Sequence, residues 1–343
     1  MYKMYKMIKI QPEAIQYTIE KCKQGAKKAA KLMKGKRVYL TGCGSSFHAA
    51  VYGEFVLRSF GFDVQAIHAL DMIHYTPMLK NSAVIVISHS WRTRTTLKAL
   101  DVVKHNKIQC IGITANEKAE KDVDVLLRTS NYYDESDCVT MGYTTELAAL
   151  ALIGESNATE KWIQKVSALV ESALNTEEQI KELVNEYSKR KRFFVLGAGP
   201  NTATAFEMAL KMKEGNFTDA EAMQVEQMLH GSISGIDDDD VVFLIAQKDG
   251  KARHRIYETA QALSKIRAST IAVTDDATEI VKECDHAIKI GHSPEYLNPI
   301  VSIMPLQLFA YYLAEKNGIN PDMTREDDLR YRKAYSTLFL HFK

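Results

Sequence analysis

Long apolar runs are missing from this 343-residue chain. No stretch approaches the roughly 18 consecutive apolar residues that a membrane-spanning helix needs, so no membrane partner is expected. The opening residues, MYKMYKMIKIQPEAIQ, carry early lysines, but Gln11, Pro12 and Glu13 interrupt any apolar segment, and they do not read as a signal peptide. Paired cysteines are missing too. The five present (Cys22, Cys43, Cys110, Cys138 and Cys284) form no CxxC pair and are odd in number. That argues against a zinc ribbon and a disulfide framework, and for a reducing, cytoplasmic setting. An excess of either charge is also lacking: the formal net charge is +1, so composition points to no nucleic acid. The first 35 residues read as a lone amphipathic helix, without the second helix or tight turn of a helix-turn-helix.

What is present suits a soluble globular protein, with 46% hydrophobic and 25% charged residues. The length exceeds one ordinary core and suits two domains of roughly 150 residues each. An internal repeat supports this. Val38-Tyr-Leu40 leads into Thr41-Gly-Cys-Gly44, as Phe193-Phe-Val-Leu196 leads into Gly197-Ala-Gly199. Ala83-Val-Ile-Val-Ile87 is matched by Val241-Val-Phe-Leu-Ile245, Ile108 to Ile113 by Ser269 to Val273, and Asp124 to Leu127 by Asp285 to Ile288. The offset holds at 155 to 161 residues, so one unit is used twice. Short apolar runs alternating with helix-period segments predict strands buried on both faces, hence parallel sheets between helix layers. The expected layout is an N-terminal helix over 1–35, a first α/β domain over 36–158, linker helices over 159–192, a second domain over 193–318 and a tail over 319–343.

Ligands of parallel α/β sheets bind beyond the carboxyl ends of the strands. Two segments of the first unit fall there: Gly42-Cys-Gly44-Ser45-Ser46, and Ser88-His-Ser90-Trp-Arg-Thr93-Arg-Thr95-Thr96. Both place hydroxyl residues where a helix begins, where N–H groups and the helix dipole favour phosphate and Arg92 adds charge. The competing reading is that these residues simply cap helices. A dinucleotide fingerprint would need a third glycine at GxGxxG, which neither unit has. The second unit lacks the hydroxyl cluster and carries instead Glu207-Met-Ala-Leu-Lys211-Met-Lys213-Glu214, then Asp219-Ala-Glu221-Ala and Val225-Glu226-Gln-Met-Leu-His230-Gly231. Lys211 and Glu214 share a helix face, and by spacing alone they read as a solvated pair.

The ordered set TGCGSS, SHSxxTxxT, ALKMKE, AEA and LHG resembles the tandem sugar-isomerase (SIS) domains of glucosamine-6-phosphate synthase. It equally resembles stand-alone glucosamine-6-phosphate deaminases and fructosamine-6-phosphate deglycases. The resemblance covers essentially the whole chain and implies two SIS domains, each a flavodoxin-like three-layer αβα sandwich. It implies a sugar phosphate held by Ser45, Ser46, Ser88, His89, Ser90 and Thr93. Glu214 falls where the family has the base that shuttles a proton between C1 and C2, and Lys211 where a lysine sits beside the intermediate. His230 matches a ring-opening histidine supplied across a homodimer interface, and Lys333 a tail lysine that contacts the open-chain carbonyl. The chemistry is consistent: a carboxylate accepts and returns the proton, a cation steadies the enediol oxyanion, and a lysine able to lose its proton could capture C2 as an imine. No metal or organic cofactor is required.

The chain also departs from the family's pattern. Trp91 stands where a glycine is usual, which predicts a narrowed pocket or a reshaped loop, and Ser232 replaces a usual proline. The spacing Glu226-Gln-Met-Leu-His230 and the run Gly142-Tyr-Thr-Thr145 resemble deaminases and deglycases more than the synthase. A glutamine-hydrolysing domain is not expected, since no cysteine follows Met1. The leading expectation is therefore a deaminase or isomerase interconverting glucosamine 6-phosphate with fructose 6-phosphate and ammonia. The alternatives are a fructosamine-6-phosphate deglycase, the isomerase subunit of a two-chain synthase with a separate glutaminase, and a non-catalytic sugar-phosphate sensor.

Overall fold

Six-residue runs such as Ser82–Ile87 and Val241–Ala246, with every residue buried, can only be satisfied between two layers of packing. The computed structural model describes residues 1–159, 161–276 and 278–338; residues 160, 277 and 339–343, the last being the end of the expected tail, lie outside the described residues. The first sheet consists of β1 (Arg37–Gly42), β2 (Asp63–His68), β3 (Ser82–Ile87), β4 (Gln109–Thr114) and β5 (Val125–Arg128), in the order β2-β1-β3-β4-β5. The second consists of β6 (Arg192–Gly197), β7 (Asp219–Gln224), β8 (Val241–Ala246), β9 (Ser269–Thr274) and β10 (His286–Lys289), in the equivalent order β7-β6-β8-β9-β10. Every pairing is parallel. In each sheet the connections reverse direction between its first and third strands, which opens a crevice at their carboxyl ends.

Side chains alternate between two cores, as a pleated strand requires. Leu40, Ile85 and Ile111 of the first sheet join Val195, Phe243 and Ile271 of the second in one cluster, while Tyr39, Val84 and Val86 face an outer cluster. Two separate cores are thus not what forms, because the inner faces share one. Helices Ser45–Ser59 and Asn201–Asn216, each following the first strand of its unit, pack on one another at this junction. The first 35 residues form two helices, Lys3–Lys9 and Gln11–Met33, rather than the single one expected. Ile10 ends the first and caps the second, and Pro12 sits at the start of the second, where its missing N–H costs nothing. The second helix packs on Met141–Gly154, which is buried on every side. Among the described residues no helix is long and apolar enough to cross a membrane.

Candidate active site

The first hydroxyl-rich segment is shaped by its glycines. A Cβ on Gly42 would lie 2.8 Å from the backbone of Ser46, and Gly44 adopts a φ of +56°, a conformation that favours glycine. The chain can therefore turn from β1 straight into helix Ser45–Ser59. Next to it, β3 runs through Ser88-His-Ser90 to Thr93, which begins helix Arg94–His105. Neither helix has a side-chain cap at its start, so capping does not account for the hydroxyl residues, and both N-termini remain available to an anion. Ser45, Ser46, Ser88, His89, Ser90 and Thr93 all line one cavity of about 370 Å³, together with Arg92, Asp134, Glu146 and Glu214.

Hydrogen bonds separate these residues by what they can still offer. The Ser45 hydroxyl donates to Glu207 at 2.9 Å and that of Ser46 to Glu146 at 2.9 Å, so both are engaged internally. Ser88 Oγ accepts from the Trp91 N–H at 3.2 Å, which leaves its own proton for the cavity. The ring of His89 accepts the Asp134 N–H at Nε2, 2.9 Å. Burial lowers its pKa to about 4, so the ring is neutral and supplies no charge. Burial also raises Asp134 to about 6, against the N–H groups of Thr140 and Gly142 that its carboxylate accepts. The deeply buried Glu146 is held well above the usual carboxylate range by burial, with Ser46 opposing, so the pocket floor does not repel an anion.

The second unit contributes helix Asn201–Asn216 and, on it, a buried charge chain. Lys211 is 0% exposed, so the solvated-pair reading fails. Its ammonium reaches Glu214 Oε2 at 2.7 Å, the Val139 carbonyl at 2.8 Å, Glu207 Oε1 at 3.3 Å and Ser45 Oγ at 3.4 Å. Burial alone would lower its pKa, but Glu207 and Glu214 together hold it well above the usual lysine value. Glu207, also buried, is opposed by the same desolvation yet is kept ionised by Lys211 and by His48, whose Nδ1 lies 2.8 Å away. Sequence reasoning gave no role to Glu207, His48, Glu146 or Asp134. The only signal was the i, i+4 spacing of Glu207 and Lys211, which ordinary surface helices share.

Trp91 does not narrow the pocket. Its φ of +56° is one that a bulky side chain rarely adopts. The indole turns away into the outer core against Val84, Val86 and Leu100, and donates to Asp122 at 3.3 Å. The structure does not bring His230 or Lys333 to the cavity of Glu214. His230, 70% exposed, lies 2.8 Å from Glu226 and lines a different surface cavity with Phe206 and Gln224. Lys333 is exposed on helix Leu329–Leu338. That tail does approach the site through Arg325, Tyr331 and Tyr335, which line a second cavity sharing Glu214 and Asp137 with the first.

Over 337 residues the chain is 32% identical to a glutamine–fructose-6-phosphate aminotransferase (isomerizing) of Pyrococcus horikoshii, covering 94% of this chain and 56% of that protein. A protein of the same name from Methanocaldococcus jannaschii is 31% identical over 339 residues, covering 94% of this chain and 30% of its own length. The chain therefore spans about half or less of these relatives. In fold it is similar to the C-terminal domain of glucosamine-fructose-6-phosphate aminotransferase from Francisella tularensis, with a TM-score of 0.85 at 22% identity, covering 94% and 98% of the two chains. It is similar as well to a glucosamine-6-phosphate deaminase from Thermotoga maritima, with a TM-score of 0.79 at 20% identity over 93% and 96%. Both halves of the repeat match the SIS domain, over residues 31–152 and 186–315, and the chain belongs to the SIS domain family.

Proposed function

We propose that the protein is a phosphosugar isomerase that deaminates an amino-sugar phosphate, converting glucosamine 6-phosphate and water into fructose 6-phosphate and ammonia. The observation that carries this reading is the placement of Glu214. It opens on the hydroxyl-lined cavity while one of its oxygens is held 2.7 Å from a buried, permanently charged lysine. Ser88, Ser90, Thr93 and the two helix N-termini hold the phosphate. Glu214 takes the proton from one sugar carbon and returns it to its neighbour. Lys211 stays protonated, so it serves as a fixed cation beside the enediol rather than as an imine-forming nucleophile. The names of the aminotransferase and deaminase relatives support the substrate class.

Ammonia release from glucosamine 6-phosphate by the purified protein tests the reading. We expect turnover that Glu214→Gln reduces by about 10³-fold or more, with substrate affinity retained. No ammonia from the unaltered protein would overturn it. We also read the active form as a homodimer in which His230 of one copy serves the cavity of the other, since His230 is exposed and remote from its own Glu214 cavity. Mixing inactive Glu214→Gln and His230→Ala proteins should then restore about a quarter of full activity, because hybrid dimers hold one intact site. No restoration in a mixed dimer would refute the sharing.

A further inference from the structure

His48 has no part in the reaction proposed above, yet it sits at the join of the two units. It lies on helix Ser45–Ser59 and packs 5.9 Å from the ring of Phe206 on helix Asn201–Asn216. With its side chain only 18% exposed, it donates from Nδ1 to Glu207 Oε2 at 2.8 Å. His68 of β2 is near enough to interact with it electrostatically. Burial holds that ring below the usual histidine value, with Asp71 opposing, so it brings no second charge near neutral pH. Glu207 has its other oxygen, Oε1, 2.9 Å from the Ser45 hydroxyl and 3.3 Å from the Lys211 ammonium. The ammonium lies nearer to Glu214, at 2.7 Å. His48, Glu207, Lys211 and Glu214 thus form one line of contacts, and Glu214 is the member that lines the sugar-phosphate cavity.

Two carboxylates compete in this line for a single ammonium. Glu207 is fully buried whereas the Glu214 side chain is 28% exposed, and an ion pair strengthens as water is excluded from it. On burial alone Lys211 belongs to Glu207. The distances run the other way. Glu207 already has two donors besides the lysine, His48 on one oxygen and Ser45 on the other, and each hydrogen bond that it accepts weakens its hold on the ammonium. Ser45 also lines the cavity, within reach of a substrate, which leaves His48 as the donor that stays. We infer that His48 is a positioning residue for the base: by engaging Glu207 it leaves the Lys211 ammonium to Glu214 and to the charge that develops on the sugar. The inference rests on the proposed roles of Glu214 and Lys211 and deepens them. His48 itself makes and breaks no bond. It acts through Glu207, across a sequence separation of 159 residues.

Two substitutions separate the hydrogen bond from the bulk of the ring. His48→Leu removes the donor at similar size, and His48→Asn restores an N–H near the place of Nδ1. The reaction to follow is exchange of solvent deuterium into C1 of fructose 6-phosphate, read by proton NMR, because it needs the base but neither ammonia nor an amine. The His48→Leu protein should exchange about tenfold more slowly at saturation, with affinity for fructose 6-phosphate within about twofold of the parent. His48→Asn should recover to within about threefold. In a Glu207→Gln background, adding His48→Leu should cost less than about twofold more, since the competing carboxylate is already gone. A crystal structure of His48→Leu should show the Lys211 ammonium closer to Glu207 than to Glu214, a readout that needs no turnover. Unchanged exchange in His48→Leu, an equal loss in His48→Asn, or an ammonium still nearer to Glu214 would overturn the inference. A shifted ammonium in a protein whose parent releases no ammonia from glucosamine 6-phosphate would uphold it and overturn the deaminase reading alone.

Discussion

At the carboxyl end of β3 the chain runs Ser88-His-Ser-Trp-Arg-Thr93; at the end of β8, in the second sheet, it runs Gln247-Lys-Asp-Gly-Lys-Ala252. The surroundings are built alike, down to the glycine with a φ of +56° at both Gly44 and Gly199. In the second sheet several groups of this loop bond to neighbouring loops, although the Gln247 Oε1 stays buried without a partner among the described residues. Gln247 donates to the Ser293 carbonyl at 3.0 Å, and the Lys248 and Lys251 N–H groups go to Asp275 and Glu295 at 2.7 and 3.0 Å. In the first sheet, hydroxyls at the same place face a cavity. A binding site here is the same fold with its loop hydrogen bonds left for a ligand. The second unit, whose loop lacks those hydroxyls, supplies the charged helix instead.

The strongest way to break this division of labour is at the charge chain. Lys211→Met leaves Glu207 as a buried carboxylate whose main partner is gone, and should cost about 3–5 kcal/mol in urea unfolding, along with turnover. A variant as stable as the parent would show that the chain is not held by charge. The loops offer a paired test of intermediate size. Ser90→Ala should weaken sugar-phosphate affinity by about fivefold to tenfold with the melting temperature unchanged. Gln247→Ala should do the reverse, costing about 1–3 kcal/mol of stability by stranding a buried carbonyl, with affinity unchanged. Matching effects from both substitutions would erase the distinction between the two ends.

The smallest effect concerns Glu146. Its folded-state pKa is raised by burial, so folding takes up a proton and stability declines as pH rises from the unfolded value of about 4.3 towards the folded one. Glu146→Gln removes that dependence. The variant should melt slightly above the parent, with the gap widening from pH 5 to pH 8. Asp134, raised to about 6, adds a slope of the same sign that is complete just above pH 6, and it is common to both proteins. A gap that stays constant with pH would mean that Glu146 is not the proton-binding group.

Much of this was legible in the sequence, and the misses share a cause. Four of the five strands in each sheet announce themselves as apolar runs, the central three because they are buried on both faces, and the short edge strands β5 and β10 by their sequence alone. The other two, β2 and β7, read Asp-Val-Gln-Ala-Ile-His and Asp-Ala-Glu-Ala-Met-Gln. They are partly exposed edge strands, and an edge need bury only part of its side chains. The hydroxyl segments were legible as loops at strand ends, and the structure gathers them around one cavity. Lys211 and Glu214 were recognisable as a pair, but Glu207 and Glu146 were not, since a glutamate in a helix is ordinarily solvated.

By itself the sequence determined the repeat, the parallel α/β class and the segments from which the site is drawn. These depend on short-range patterning: apolar runs, helix period and glycines at turns that no other residue can make. Only the tertiary structure decided which charges are buried, that Trp91 turns into the core, and that the tail's Arg325 lines a cavity with Glu214. Those outcomes depend on which helix meets which. The packing of Ser45–Ser59 against Asn201–Asn216 joins residues 162 positions apart, Ser45 and Glu207, in one hydrogen bond, and no local pattern carries that distance.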